Sequence, residues 1–259
     1  MTSSEPSFFR SANAYERFMG RYSRTLAPAF ARAAGVASGQ RVLDVGCGTG
    51  ALTVVVADLV GADHVAAVDP SEPFVEQCRA NVPGADIRSA PAEALPFEDG
   101  TFDRTLAQLV FHFVADPAAA VADMKRVTRP GGTVAGCVWD MTGGMTMIRA
   151  YWDAAREADK DAPDEKERFG GRPGQLVDLW RGAGLRDVTD SSLEVSSPYE
   201  DFDELWQSFR GGEGPVGTHA ASLEGAKHDA VRDALHRRVG SPEGPFELTA
   251  RAWCAIGTV

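Results

Sequence analysis

Apolar and polar positions alternate along this chain in two rhythms. In "NAYERFMGRYSRTLAPAFARAAG", Tyr15, Phe18, Met19 and Tyr22 fall at i, i+3, i+4 and i+7, the spacing that gathers side chains on one helical face. The apolar run Arg41–Val45 then predicts a strand, Ala51–Leu59 a helix, His64–Asp69 a second strand, and "SEPFVEQCRANV" a helix capped by Ser71. A short strand near Asp86–Arg88, the loop "SAPAEALPFEDG" and a strand from Phe102 continue the alternation. In "DPAAAVADMKRVT", Asp116 is placed as N-cap and Pro117 at the first helical position, and the turn Arg129–Gly132 introduces the strand "TVAGCVWD".

After Asp140 the rhythm changes. A glycine hinge, an amphipathic helix and the charged run "DKDAPDEKERF" precede a helix in "PGQLVDLWRGAG". A strand from Leu185 to Val195 leads into a second irregular stretch containing the helical patterns "YEDFDELWQSF" and "EGAKHDAVRDALHRRV". The last segment, "FELTARAWCAIGTV", alternates as a strand and is expected to close the sheet antiparallel beside the 185–195 strand. Strands alternating with helices imply an α/β chain: a Rossmann-like, doubly wound, seven-stranded and mostly parallel sheet, with ligands outside the carboxyl ends of its strands. Residues 1–259 are expected to form a single domain, with 1–35 as an N-terminal helical lid and 141–172 and 198–240 as cap insertions.

Composition narrows the partners. With 26 Lys and Arg against 37 Asp and Glu, the net charge of -11 opposes non-specific attraction to nucleic acid or anionic lipid, which leaves a small molecule as the expected partner. The cysteines at 47, 78, 137 and 254 lack metal-ligand spacing, so no metal site is expected and the thiols are taken as reduced, mostly buried and cytoplasmic. No run approaches the roughly 18 apolar residues of a membrane span, and the first residues lack a basic region followed by a long apolar one.

The stretch "VLDVGCGTG", Val42 to Gly50, carries the candidate chemistry. Gly46, Gly48 and Gly50 leave the first strand in a turn where backbone can approach a ligand closely. "GCGTGA" with Asp69 further on satisfies a loose dinucleotide pattern. Asp44, just before the first glycine, would however repel a pyrophosphate, while suiting a ligand that carries an ammonium and a sulfonium. That ligand is S-adenosylmethionine.

Together "VLDVGCGTG", "AAVDPSE", "APAEALPFEDGTFD" and "LVFHFVADPAAAVADMKRVTRPGG", with the closing strand, resemble the class I SAM-dependent methyltransferases, in particular the small-molecule branch similar to ubiquinone and menaquinone C-methyltransferases. The resemblance covers Arg41 to about Trp139 in ordered motifs and implies methyl transfer to a small-molecule acceptor. It implies that the loop Asp44 to Gly50, with Gly46, Cys47 and Gly48, faces the methionyl part of the cofactor. Asp69 would accept the ribose hydroxyls and Pro70 would lie against the adenine. Ala92 and Glu93 would bracket the adenine edge, and Gln108 would meet the methionyl amine through its backbone. Tyr15 and Arg21, on the first helix, would contact the cofactor's carboxylate end.

Other roles stand beside these. Asp69 can cap the following helix, Asp44 can bond the loop, Cys47 can fill the turn, and Tyr15 can be packing. His112, between Phe111 and Phe113 past the fourth strand, is a candidate general base, with a satisfied wall residue as its alternative. The run "DKDAPDEKERF" is expected to be a solvated, mobile surface, and His219, His228 and His236 solvated helix positions. Tyr151, Trp152, Trp206 and Phe209 suit either a core or an apolar substrate pocket. A SAM-binding regulator or scaffold without transfer activity, and an NAD(P)-dependent oxidoreductase, are the alternative functions.

Overall fold

A computed structural model describes residues 15–212 and 214–259; residues 1–14 of the expected lid lie outside the described residues. A π-helical turn, Glu16–Gly20, runs into α1 (Arg21–Ala33). The α/β succession is β1 (Val42–Val45), α2 (Ala51–Val60), β2 (Val65–Asp69), α3 (Glu72–Asn81), β3 (Asp86–Ser89), β4 (Phe102–Gln108), α4 (Pro117–Val127) and β5 (Thr128–Trp139). There follow α5 (Thr146–Ala158), α6 (Gln175–Gly182), β6 (Arg186–Tyr199), α7 (Phe202–Arg210), α8 (Gly214–Ser222), α9 (Gly225–Arg238) and β7 (Phe246–Thr258).

The seven strands lie in the order β3-β2-β1-β4-β5-β7-β6. All pairs from β3 across to β5 are parallel, and β7 runs antiparallel to both β5 and β6. This is the expected doubly wound sheet with its antiparallel last strand. All four residues of β1 are buried because both faces of a parallel sheet are covered. Neighbouring residues divide between two cores: Ala135, Cys137 and Trp139 of β5 join Leu26, Phe30 and Val56 of α1 and α2, while Val134 and Val138 join Val121, Met124 and Trp180 of α4 and α6. Phe18, Met19 and Tyr22 are buried and Tyr15 is partly so, as one helical face requires.

Several boundaries move. Phe102 pairs with Thr128 but Arg104 with Thr133, so β5 begins before the Pro-Gly-Gly turn and carries it as a bulge. β6 runs on to Tyr199, past the expected start of the second insertion, because Ser196–Tyr199 keep pairing with Phe246–Thr249. That insertion holds three helices rather than two, since "GPVGTHAAS" is helical without an amphipathic repeat. Ser71 occupies the N-cap of α3 without bonding it through its side chain.

The charged run 159–169 is solvated only in part: Lys160, Asp161, Lys166 and Glu167 are exposed, while Asp164 and Glu165 turn inward. Arg149 grips Asp164 through both terminal guanidinium nitrogens, at 2.8 and 3.1 Å, and Trp152 Nε1 donates to the buried Glu165 Oε2 at 2.9 Å. Partners outside the run pull two of its carboxylates inward. Tyr151, Trp152, Trp206 and Phe209 are buried core residues. The three histidines are packing residues too: His219 bonds the Tyr151 hydroxyl at 2.8 Å, His228 lies against Trp206 and His236 against Phe202. All four cysteines are free and buried, and Cys137 and Cys254 are direct partners across β5 and β7. Among the described residues no helix is long and apolar enough to cross a membrane.

Candidate functional site

The carboxyl ends of β1 to β5 open into one cavity of about 870 Å³. Its floor at β1 is the glycine loop. Gly46 N and Cys47 N both donate to Val68 O, at 2.7 and 2.9 Å, which ties the loop to the end of β2. Gly46 and Gly48 have φ of +71° and +53°, where side chains are disfavoured. A Cβ on Gly46 would meet Val110 Cγ2 at 2.5 Å, whereas one on Gly48 would project into open space. Gly46 is therefore a packing requirement and Gly48 leaves its backbone uncovered toward the cavity. At Gly50 a Cβ would press on Cys78 Sγ at 3.0 Å.

Asp69 ends β2 with its carboxylate already anchored: Gly48 N donates to Oδ2 at 3.0 Å and Ser71 N to Oδ1 at 2.9 Å. Each oxygen keeps acceptor capacity for a further donor. Burial raises its pKa and these two amide bonds oppose that rise. Tyr15, Gly46, Gly48, Pro70, Ala92, Glu93, Gln108 and His112 line the cavity with it. Glu93 Oε1 accepts from Ala115 N and Asp116 N at 3.2 and 3.3 Å, which clamps the β4–α4 loop against the β3 loop. Gln108 Nε2 donates to Ser23 O at 3.1 Å, while its Oε1 is buried without a partner. A buried orphan acceptor on a cavity wall calls for a donor from a ligand.

Three expected site residues are not in that wall. Asp44 is fully buried beneath the loop, where Oδ2 accepts from Thr53 Oγ1 at 2.7 Å, and burial pushes its pKa up to about 7. Its place corresponds to bonding within the fold. Cys47 packs its thiol against Cys78, and that contact first, then burial, raises its pKa. Arg21 faces another way altogether, paired with Glu204, donating to Pro198 O at 3.0 Å and lying 4.3 Å over the Tyr199 ring.

Further from the glycine loop the wall consists of residues that the motifs do not reveal. Phe18, Met19, Phe113, Trp139, Met141, Ile148, Glu165, Arg168, Pro215 and Val216 converge there from the first helical turn, the β4 and β5 ends and both insertions. The i, i+3 periodicity marked Phe18, but nothing local marks the others as neighbours. His112 stands at this end. Its Nδ1 is 2.8 Å from Phe169 O, so the proton sits on Nδ1 as donor and Nε2 is the unprotonated nitrogen; Nε2 is covered and has no partner. Burial depresses the His112 pKa to about 4, against the opposing pull of the Phe169 carbonyl. The imidazole is neutral near pH 7 and a weak base.

The model of the methyltransferase domain family matches residues 43–136. A Mycobacterium tuberculosis protein described as an uncharacterized methyltransferase is 38% identical over 138 residues, 52% of this chain and 52% of that one. Demethylmenaquinone methyltransferase of Renibacterium salmoninarum is 41% identical over 100 residues, 39% of this chain and 41% of its own. Among solved structures, an N-methyltransferase of Haemonchus contortus, in complex with phosphomonomethylethanolamine and S-adenosylhomocysteine, aligns at a TM-score of 0.57 and 16% identity, covering 96% of this chain and 57% of that one. At that identity the likeness bears on the fold. The chain spans about half the length of the curated relatives it matches. The resemblance read from the motifs holds in sequence over the domain and in the topology of the sheet.

Proposed function

We propose that the protein, whose residues 43–136 match the methyltransferase domain family, transfers a methyl group from S-adenosylmethionine to a small-molecule acceptor. The observation that carries this reading is one continuous cavity, with Asp69 and the glycine loop at one end and a largely apolar chamber at the other. Its volume of about 870 Å³ lies in the upper part of the roughly 300–1,000 Å³ usual for one ligand, as suits a cofactor and an acceptor together.

The residues present fit the cofactor. Asp69 offers two oxygens to vicinal hydroxyls, the uncovered backbone at Gly48 admits close approach, and Gln108 Oε1 provides the missing partner for an ammonium. Tyr15, Pro70, Ala92 and Glu93 line the same cavity. When bound, S-adenosylmethionine supplies an activated methyl group on a sulfonium. The chain's own contribution is alignment and exclusion of water: the π-helical turn with Phe18 and Met19 roofs the cavity, and Met141, Ile148 and Val216 enclose the acceptor. His112 Nε2 is the unprotonated nitrogen nearest to this role, and takes a proton only where the acceptor must lose one.

Thermal-shift screening with SAM, S-adenosylhomocysteine, NAD and NADP tests the cofactor, since only a ligand of the native state raises the midpoint. Stabilisation by the first two alone is expected; stabilisation by NAD or NADP instead would favour an oxidoreductase. Labelled SAM incubated with a metabolite extract should then yield labelled product. A protein that binds SAM and labels nothing would be a SAM-dependent regulator or scaffold.

A further inference from the structure

The acceptor end of the cavity is walled largely by carbon, with Phe18, Met19, Met141, Ile148, Pro215 and Val216 around it. Its two charged groups among the described residues, Glu165 and Arg168, form an ion pair. Arg168 Nε lies 2.9 Å from Glu165 Oε1, Trp152 Nε1 donates to Oε2, and Arg168 Nη1 donates to His112 O at 3.2 Å. The guanidinium also lies 5.2 Å over the Phe113 ring. Glu165 is only 8% exposed, and charges this deeply placed persist because each has its partner. At the cofactor end the described lining adds the carboxylates Asp69 and Glu93, and no cation among the described residues. Among the described residues, three carboxylates against one guanidinium leave the lining formally at -2.

We propose that the acceptor is an uncharged, largely apolar ring compound, and that the Glu165–Arg168 pair sets this selectivity by closing the acceptor wall as a neutral unit. The proposal rests on the methyl-transfer reading of the same cavity. An anionic acceptor would leave water for a lining of net negative charge whose guanidinium already has its carboxylate, and desolvating an ion without a new partner is costly. A ring without charge instead meets a wall that includes the aromatic side chains of Phe18 and Trp139, where offset and edge contacts favour it.

Two fluorescent probes with one ring skeleton test this: neutral N-phenyl-1-naphthylamine and anionic 1-anilinonaphthalene-8-sulfonate, titrated into the full chain with and without saturating S-adenosylhomocysteine. The neutral probe should bind at least about tenfold more tightly, a gap of roughly 1.4 kcal/mol. Ile148→Trp, which fills the acceptor end, should weaken the neutral probe by about tenfold while S-adenosylhomocysteine affinity stays unchanged in calorimetry. Glu165→Gln, which leaves the Arg168 charge without its carboxylate, should tighten the sulfonate and close most of the gap. Equal or tighter sulfonate binding to the unaltered protein overturns the proposal, as does neutral-probe binding indifferent to Ile148→Trp. An unchanged gap in folded Glu165→Gln removes the pair from selectivity and overturns that half of it. Should Glu165→Gln fail to fold, Arg168→Met carries the complementary test: loss of the cation should weaken the sulfonate further, and an unchanged gap overturns the pair's role. Failure of S-adenosylhomocysteine to bind would sink the methyl-transfer reading instead, and the probe titrations without it still report the cavity's own selectivity.

Discussion

The two ends of the cavity are built by opposite means. At the cofactor end, Gly46, Asp69, Ala92 and Gln108 stand at the carboxyl ends of consecutive parallel strands, and the contacts that fix them are mostly to backbone within the β1–β4 segment. At the acceptor end, Phe18, His112, Ile148, Glu165 and Val216 arrive from five separated stretches, and the contacts that hold Glu165 and His112 reach across the sequence from Trp152, Arg168 and Phe169. A site made by the main chain of a regular fold is rigid and repeats wherever the fold does. A site made by a coalition of side chains changes whenever one partner does, which is how one architecture serves many substrates.

That contrast can be broken by substitutions at each end. The largest effect is expected from Gly46→Val. A branched side chain at φ +71° that meets Val110 at 2.5 Å adds roughly 1–3 kcal/mol of backbone strain to a similar overpacking cost. S-adenosylhomocysteine affinity should fall by about 100-fold with the circular dichroism of the sheet retained. Near-normal affinity would mean that the loop geometry does not govern the cofactor end.

Asp69→Ala comes next, with an expected loss of about 1.5–3 kcal/mol in the same calorimetry, the usual worth of bonds to a charged acceptor. Because Asp69 also holds Gly48 N and Ser71 N, Asp69→Asn should recover part of the loss by restoring one acceptor oxygen. Equal losses for both variants would show that charge, rather than loop anchoring, is what Asp69 contributes.

Asp44→Asn sharpens the comparison from beneath the loop. The Asp44 pKa is raised to about 7, so its neutral form suits the native state; its contribution is complete below about pH 4 and is lost as pH rises toward 7. The asparagine variant, which can still accept from Thr53, should be more stable than the parent by about 1–3 kcal/mol at pH 8 and by almost nothing at pH 4 in urea unfolding. A variant that is instead no more stable at pH 8, and binds S-adenosylhomocysteine much more weakly, would return Asp44 to the cofactor.

The smallest effect is expected at the other end. The His112 pKa is depressed to about 4, so its stabilising contribution is present above about pH 6.5 and disappears as pH falls through 4. His112→Gln should flatten that part of the stability profile by about 1–2 kcal/mol, allowing for the partial exposure of the ring. On an identified acceptor, a rate loss of about 10²–10⁴ with unchanged cofactor affinity would assign it proton transfer, and less than about tenfold would leave it as wall.

The same contrast explains how much of the molecule was legible in its sequence. The sheet and its order follow from alternating periodicity, and Gly46, Gly48 and Asp69 are visible because glycines and an acid at strand ends lie in contiguous motifs. Asp44 belongs to the legible motif, but its burial and its bond to Thr53 are not legible, since a strand's period of two and not its motif decides which way a carboxylate points. Arg21 was one residue from the buried face and turned toward Glu204. Glu165 was illegible because charge in a polar run normally signals solvent, and its burial depends on Trp152 and Arg168 together. Composition cannot announce a partnership made in three dimensions.

The position of β7 between β5 and β6 governs the order in which this molecule can assemble. When β6 leaves the ribosome its place beside the sheet does not yet exist, because β5 offers its free edge only to β7, which is made last of the seven strands. β6 must wait and join as a long-range pair with β7 across the three helices of the second insertion, a closure whose entropy is lost before its contacts form. The glycine loop and Asp69, all upstream, need none of this. The strands that carry the cofactor end are therefore complete in the nascent chain before β7, on which closure of the sheet depends, has been made.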